Sequence, residues 1–502
     1  MATTVAPQQE LGTRTVGHFI DGQFAYEASE TFETRNPANN EVIARITKGT
    51  QADLDRAIGA ARKAFDAGPW PQMRSAERAK ILRKVGDLII ERAPEIARIE
   101  TMDTGLPIAQ TGGAQIPRAA DNFYFFAEMA NHMDGAAYHS PDYLNYTVQR
   151  PAGVAGLITP WNLPFMLTSW KVAPCLASGC TCVVKPASWT PLSNEKLAEC
   201  IRDAGMPDGV FNLVYGSGET VGMGIVKSPD VQLISFTGET VTGQAIMREG
   251  AATMKRYSME LGGKSPIVVF ADADYERALD AAVFGVYSLN GERCTASSRC
   301  LVERPIYDRF VADLAARVRQ IRVGDPMDKA TEIGSLIHPS HLESVLDYVE
   351  IGKAEGAKLV EGGGRMPGME QGNYMQPTLF ADVDNRMRIA QEEVFGPVLV
   401  VIPFDGEEEA IRIASDVKYG LAGYVWTTDV AKANRVAQGI QCGMVWVNSQ
   451  NVRDLRTPFG GAKESGIGHE GGHYSWEFYC EMKNIAIAIG NHHIPKFGAG
   501  RD

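Results

Sequence analysis

Val231-Gln232-Leu233-Ile234-Ser235-Phe236-Thr237-Gly238-Glu239-Thr240-Val241-Thr242-Gly243 is an apolar run, a glycine turn and the opening of an amphipathic segment. Strand, tight turn and helix in that order make half of a βαβ unit. The alternation continues upstream. Residues 154–159, 182–185 and 211–215 read as strands, with helices near 194–204 and 219–226; 231–236 is the next strand and 242–249 its helix. This spacing predicts a parallel sheet with crossover helices. A second alternating block opens at Ser265-Pro266-Ile267-Val268-Val269-Phe270 and runs past Ala414, with a helix over 307–320. It predicts a second α/β domain. Helical periodicity covers 52–67, 76–92 and 118–133, and His18–Phe24 reads as a hairpin turning at Asp21-Gly22. Residues 143–149 and 483–489 alternate without a partner in either block. They are expected to pair into a small protruding sheet whose edges meet another subunit. Residues 1–14 are polar and expected to be disordered.

The bulk properties narrow the function. A chain of 502 residues suggests two or three domains. Its net charge of -12 argues against nucleic acid and against an anionic membrane surface. The 8 cysteines are scattered, which fits reduced thiols in the cytoplasm rather than a disulfide scaffold. Cys180-Thr181-Cys182 is too tight for a zinc site, and no metal is expected. The N-terminus lacks the pattern of a secretory signal, and no apolar stretch reaches the roughly 18 residues of a spanning helix.

Three short segments carry chemistry. Cys294 lies in Gly291-Glu292-Arg293-Cys294-Thr295. A solitary cysteine most often packs as a small apolar side chain, but these flanks are polar, and Arg293 would favour a thiolate. Glu260 lies in Met259-Glu260-Leu261-Gly262-Gly263-Lys264, where apolar neighbours would raise its pKa toward that of a general base. The alternative is a solvated surface carboxylate. Asn162 lies in Pro160-Trp161-Asn162-Leu163-Pro164, where two prolines preset the backbone. It reads as a turn residue or as an amide aimed at a developing oxyanion. Gly238 and Gly243 mark a turn where a phosphate could meet helix N–H groups, and Lys185-Pro186-Ala187-Ser188 offers a cation and a hydroxyl at another strand end. Each of these is weak alone.

As a set, they resemble the aldehyde dehydrogenase superfamily. Pro160–Pro164, Lys185-Pro186, Phe236-Thr237-Gly238, Glu260–Lys264, Gly291–Cys294, Glu392-Glu393-Val394-Phe395-Gly396-Pro397 and Pro458-Phe459-Gly460-Gly461 occur in family order across nearly the whole chain. The resemblance implies an α/β fold of three parts. A Rossmann-like cofactor domain would span 15–133 and 152–260, an α/β catalytic domain 261–476, and a small β oligomerisation arm 134–151 and 477–497. It implies Cys294 as nucleophile, Glu260 as base, Asn162 as oxyanion donor and Lys171 as a supporting residue. It implies NAD or NADP as cofactor, contacted by Ile158, Trp161, Lys185, Ser188, Gly218, Phe236, Gly238, Leu261, Gly262, Glu393 and Phe395, with no catalytic metal. A homodimer or homotetramer is expected.

Within the superfamily, residues 104–108, 172–177 and 290–296, Leu144-Asn145-Tyr146-Thr147, Val452-Arg453-Asp454-Leu455-Arg456 and Glu481-Met482-Lys483-Asn484 are similar to the 5-carboxymethyl-2-hydroxymuconate semialdehyde dehydrogenases of aromatic catabolism. Trp170, Arg453, Arg456 and Phe459 are then expected at the substrate, the two guanidiniums suiting carboxylates. The alternative is a surface arginine paired with Asp454. Ser188 stands where many NAD-preferring members carry a glutamate, which leaves NADP open. Glu239 lies near the expected pyrophosphate path, and His469 replaces a common arginine without a role assigned to it. The rival functions are a broad aliphatic or aromatic aldehyde dehydrogenase, and a binding protein that kept the fold without the chemistry.

Overall fold

The computed structural model describes residues 14–132 and 135–498. The disorder expected for residues 1–14 lies, apart from Arg14, outside the described residues, as do Met133 and Asp134. Five parallel strands form the first sheet, in the order Arg256–Glu260, Leu233–Thr237, Val154–Ile158, Thr181–Lys185, Phe211–Leu213. Every residue of the three central strands is buried, as expected of a parallel sheet covered on both faces. Antiparallel strands close both edges. Gly466–Ile467 pairs with the end of Arg256–Glu260, and the hairpin His18–Ile20/Gln23–Ala25 pairs with Phe211–Leu213. Asp21 and Gly22 turn that hairpin with φ of 51° and 78°, the two left-handed residues of a tight hairpin turn.

The second sheet has six parallel strands, Thr378–Ala381, Val398–Phe404, Arg299–Glu303, Pro266–Val269, Ala422–Trp426 and Met444–Val447, with Lys358–Glu361 antiparallel at one edge. The third sheet is the expected protrusion. Cys480–Ala488 pairs with Tyr143–Pro151 from Cys480↔Pro151 to Ala488↔Tyr143, and Ala137–His139 adds a third strand.

Two expectations differ from the structure. Residues 219–226 are not one helix: a widened turn over Gly218–Gly222 precedes the helix Met223–Lys227. Glycines at 218, 222 and 224 permit the departure, and Ser217 caps it by accepting from the Thr220 N–H at 2.9 Å. The helix Pro164–Ser178 has no counterpart among the predicted elements. All of its residues but Leu167 are buried, so it lacks the polar stripe that periodicity needs.

Candidate active site

The parallel strands Val154–Ile158, Leu233–Thr237 and Arg256–Glu260 end side by side, and the C-terminal ends of such strands are the usual position of ligand sites in open α/β folds. A cavity of about 470 Å³ is lined by the helices Ile116–Met129 and Pro164–Ser178 and by the loops that carry Cys294 and Arg453. Cys294, Asn162, Trp170, Phe459 and Arg453 line it, together with Arg118 and Arg293.

Cys294 follows a turn in which Leu289, Asn290 and Gly291 are all left-handed, with φ of 54°, 56° and 76°. Such strain persists only where the surroundings impose it. The Asn290 amide donates to the Gly105 and Ser335 carbonyls and accepts from the Gly334 N–H at 2.8 Å. Gly291 abuts Gly396, whose carbonyl carbon would lie 2.2 Å from an added Cβ. Arg293 acts on Cys294 in the expected direction, favouring the thiolate, but other influences outweigh it. Burial drives the Cys294 thiol up, Glu260 and Glu393 drive it further, and Arg293 offsets only part of this. The Arg293 guanidinium is held by neutral hydroxyls instead, Nε donating to Thr295 Oγ1 at 3.1 Å and Nη1 to Ser288 Oγ at 2.9 Å.

Asn162 is buried, and its Nδ2 donates to the Glu292 carbonyl at 2.9 Å. That bond uses one of two amide hydrogens and ties Asn162 to the loop that carries Cys294. Glu260 ends its strand, buried, and its Oε1 has no partner among the described residues. Burial raises its pKa well above the usual range and repulsion from Glu470 adds to this, while Lys171 and Arg453 oppose it. Lys171 is fully buried and donates to Ser235 Oγ at 2.8 Å and Glu470 Oε1 at 2.6 Å. Glu470 escaped the sequence reading, although it adjoins His469; no motif marked it. His469 itself is exposed, its ring 5.9 Å from that of Tyr474.

Arg453 lies 3.9 Å from the Phe459 ring centroid and 5.1 Å from that of Trp170, a cation between two aromatic faces. Burial and the neighbouring Arg118 lower its pKa to about 10. The Nε atoms of Arg453 and Arg118 are buried without a hydrogen-bond partner among the described residues. Arg456 is not in the cavity. It is exposed and bonds Asp454 through Nε and Nη2, because Asp454 two residues before it offers a closer carboxylate. Arg118 takes the place expected for Arg456. It comes from the helix Ile116–Met129, more than 300 positions away in the chain, and no local pattern in the sequence signals it.

The residues expected to contact the cofactor lie as follows. Lys185 ends its strand beside Ile158, its Nζ donating to the Pro186 carbonyl at 2.9 Å, and burial lowers its pKa to about 8. Ser188 Oγ donates to the Gly216 carbonyl at 3.2 Å. A Cβ on Gly238 would meet the Phe236 ring at 2.5 Å, and one on Gly243 would meet Leu261 at 2.7 Å. A Cβ on Gly218 would enter open space. Gly262 touches Glu393, which accepts from the Gly263 N–H at 2.8 Å and is raised by burial to about 7. The Trp161 ring stands edge-on to Phe395, 5.2 Å between centroids, and Phe395 is left-handed with φ 55°. Glu239 is exposed at the N-terminus of Thr240–Gly250. An almost unpaired buried lysine, glycine-lined backbone and an aromatic pair fit a dinucleotide.

The profile of the aldehyde dehydrogenase family matches residues 24–485. The 5-carboxymethyl-2-hydroxymuconate semialdehyde dehydrogenase of Escherichia coli is 50% identical over 468 residues, 92% of this chain and 98% of that one. The 2-hydroxymuconic semialdehyde dehydrogenase of Pseudomonas sp. (strain CF600) is 45% identical over 486 residues, 95% of this chain and 100% of that one. Among solved structures, HpcC from Thermus thermophilus superposes with a TM-score of 0.94 at 50% identity, covering 97% of this chain and 95% of that one. The NAD+ complex of an aldehyde dehydrogenase from Bacillus cereus gives 0.93 at 42%, covering 95% and 97%.

Proposed function

The chain belongs to the aldehyde dehydrogenase family, and from that premise we propose that it oxidises a carboxylated semialdehyde of aromatic catabolism to the acid. The observation that carries this reading is the charge of the cavity. Arg118, Arg293 and Arg453 line it, and no Asp or Glu does. Among the described residues none of the three is ion-paired with a carboxylate, in a chain of net charge -12. Arg293 is buried and Arg118 and Arg453 are half-buried, and guanidiniums so withdrawn from water without a counter-ion are costly unless a ligand supplies one.

The chemistry follows from the side chains. Cys294 adds to the aldehyde carbon, and its proton must leave for the attack to proceed. The free N–H of Asn162 and the Cys294 N–H stabilise the resulting oxyanion. Lys185, Trp161, Glu393 and Phe395 would hold a nicotinamide dinucleotide, which would supply the hydride acceptor, and Cys294 would then carry the acyl group as a thioester. Glu260, once ionised, takes a proton from water as the water attacks that thioester. Lys171 fixes Glu470 and Ser235 behind Glu260 and balances the charge there. Ser188 presents no carboxylate to a 2′-phosphate, so both NAD and NADP are accommodated in this reading, and side-by-side kinetics measure the preference. Residues 15–133 with 152–260 serve as the cofactor domain, 261–476 as the catalytic domain, and the third sheet as the arm of a homodimer or homotetramer in the cytoplasm.

Steady-state kinetics test the substrate class. Carboxylated semialdehydes should exceed neutral aldehydes of equal length in kcat/KM. Arg453→Ala should raise KM for the anionic ones selectively, by about 10- to 100-fold, the worth of a charge-assisted hydrogen bond. Equal effects on neutral and anionic aldehydes would contradict the assignment.

A further inference from the structure

We propose that His341 is a positioning residue for hydride transfer: its imidazole ties the Phe395 carbonyl beside the loop of Cys294 and so sets how the nicotinamide meets the reacting carbon. The inference rests on the reading that Phe395 and Trp161 hold the nicotinamide end, and adds a residue that is not among those lining the cavity.

His341 stands in the first turn of the helix Pro339–Ala354 and is half-buried. Its Nε2 lies 2.9 Å from the Phe395 carbonyl oxygen. A carbonyl only accepts, so that nitrogen carries a proton and donates. Burial lowers the pKa of the ring and favours its neutral form, in which this is the one N–H available. Phe395 needs such a tie. Its backbone is left-handed with φ 55°, a conformation that persists only where the surroundings hold it. The rings form a triangle. Trp161 is edge-on to His341 and to Phe395, 5.2 Å between centroids in each case, and His341 lies 6.3 Å from Phe395.

The same imidazole meets the loop of Cys294. Its Nε2 is 3.7 Å from Oε1 of Glu292, whose backbone carbonyl accepts from Asn162. Gly291, one residue earlier, abuts Gly396. His341 therefore sits where the segments of Asn162, Cys294 and Phe395 converge. The rival reading is an ion pair between His341 and Glu292. At 3.7 Å the two are beyond hydrogen-bond distance, and Glu292 Oε1 already accepts from the Ile337 N–H at 2.8 Å. Burial also favours the uncharged form of both groups. The bond to Phe395 is the directional one. Hydride moves only between carbons held close and aligned, and a displacement of about 1 Å costs on the order of 100-fold in rate.

The test compares His341→Leu, which removes the donor, with His341→Gln, whose amide N–H can reach the same carbonyl. Stopped-flow absorbance reads hydride transfer with saturating NAD+ and a carboxylated semialdehyde, with hydrogen or deuterium on its aldehyde carbon. His341→Leu should slow this step by about 10- to 100-fold, and deuterium should then slow kcat as well. His341→Gln should recover most of the loss. Two measurements without cofactor are the control: hydrolysis of an activated aryl ester, which acylates Cys294 with no hydride to move, and alkylation of Cys294 by iodoacetamide. Both should stay close to wild type, and calorimetry should show NAD+ still binding. His341→Asn, a shorter amide, replaces the leucine variant should that one not fold, and should behave like it. Undiminished hydride transfer in the leucine variant overturns the inference. So does a parallel loss of ester hydrolysis, a loss of NAD+ binding, or a glutamine variant no better than the leucine one. A wild-type preference for neutral aldehydes, with the same split between variants, removes the carboxylated-semialdehyde reading and leaves His341 in its role. Wild type that binds neither NAD+ nor NADP+ overturns both.

Discussion

At the scale of single residues, burial acts in the same direction on Cys294 and Glu260, the nucleophile and base of the proposed mechanism. Burial favours the neutral form of both the Cys294 thiol and the Glu260 carboxyl, with Glu260 adding to the effect at Cys294 and Glu470 to that at Glu260. Without cofactor, alkylation of Cys294 should therefore keep rising across about pH 7–9, because each increment of pH adds thiolate to a group whose pKa lies above its ordinary value. A plateau near neutrality would contradict this. Glu260→Gln should slow hydrolysis of the thioester by about 10²–10⁴-fold while leaving the first turnover. Stopped-flow absorbance would then show a burst of reduced nicotinamide followed by a slow steady state. In wild type, kcat should climb with pH as Glu260 passes through its raised pKa, since only the ionised form accepts a proton. Cys294, Glu260, Asn162 and Arg453 were legible in the sequence because each sits in a short segment with an unusual neighbour. Arg118 and Glu470 were not. Their contacts to the site are made across the fold, and nothing beside them in the chain announces a function.

At the scale of elements, the decisive piece is the turn Ser288–Gly291 and not a helix or strand. Three left-handed residues in succession aim the loop toward Asn162 and press Gly291 onto the backbone of Gly396. This links the nucleophile loop to the Phe395 loop, so the thiol and the aromatic pair beside it are positioned together. Gly291→Ala should cost stability, about 1–3 kcal/mol from the left-handed backbone alone, with more from the clash at 2.2 Å. Thermal denaturation should show the loss, and kcat should fall with it as the loop is displaced. A neutral effect on both would mean that the turn is not under constraint. Periodicity located the amphipathic helices to within a few residues: Gln51–Asp66 against 52–67, and Ser75–Glu91 against 76–92. It missed Pro164–Ser178, the helix that carries Trp170 and Lys171, because a helix buried on nearly all sides has no polar face to report its phase.

At the scale of the whole molecule, the third sheet is the part that its own core does not cover. Of its last strand, Cys480–Ala488, only Cys480 is buried, while Met482 and Ile487 are exposed, as are Tyr138 and Tyr143 on the neighbouring strands. Exposed apolar side chains on both faces of a thin sheet call for a second chain to cover them. The double substitution Met482→Asp with Ile487→Asp should lower the mass measured by light scattering toward the monomer. An unchanged oligomer would remove the arm from that role. The chain order of strands and helices, the parallel character of both sheets and the family motifs were all determined by the sequence itself, because hydrophobic period, glycine turns and short motifs are local properties. The tertiary structure alone decided which charges share a cavity. It put Arg118 rather than Arg456 beside Arg453, left three guanidiniums without an ion-paired acidic partner among the described residues, and set Cys294 where desolvation and nearby carboxylates outweigh the adjacent arginine. Electrostatic energies depend on distance and dielectric in three dimensions, and neither is written in the order of residues along a chain.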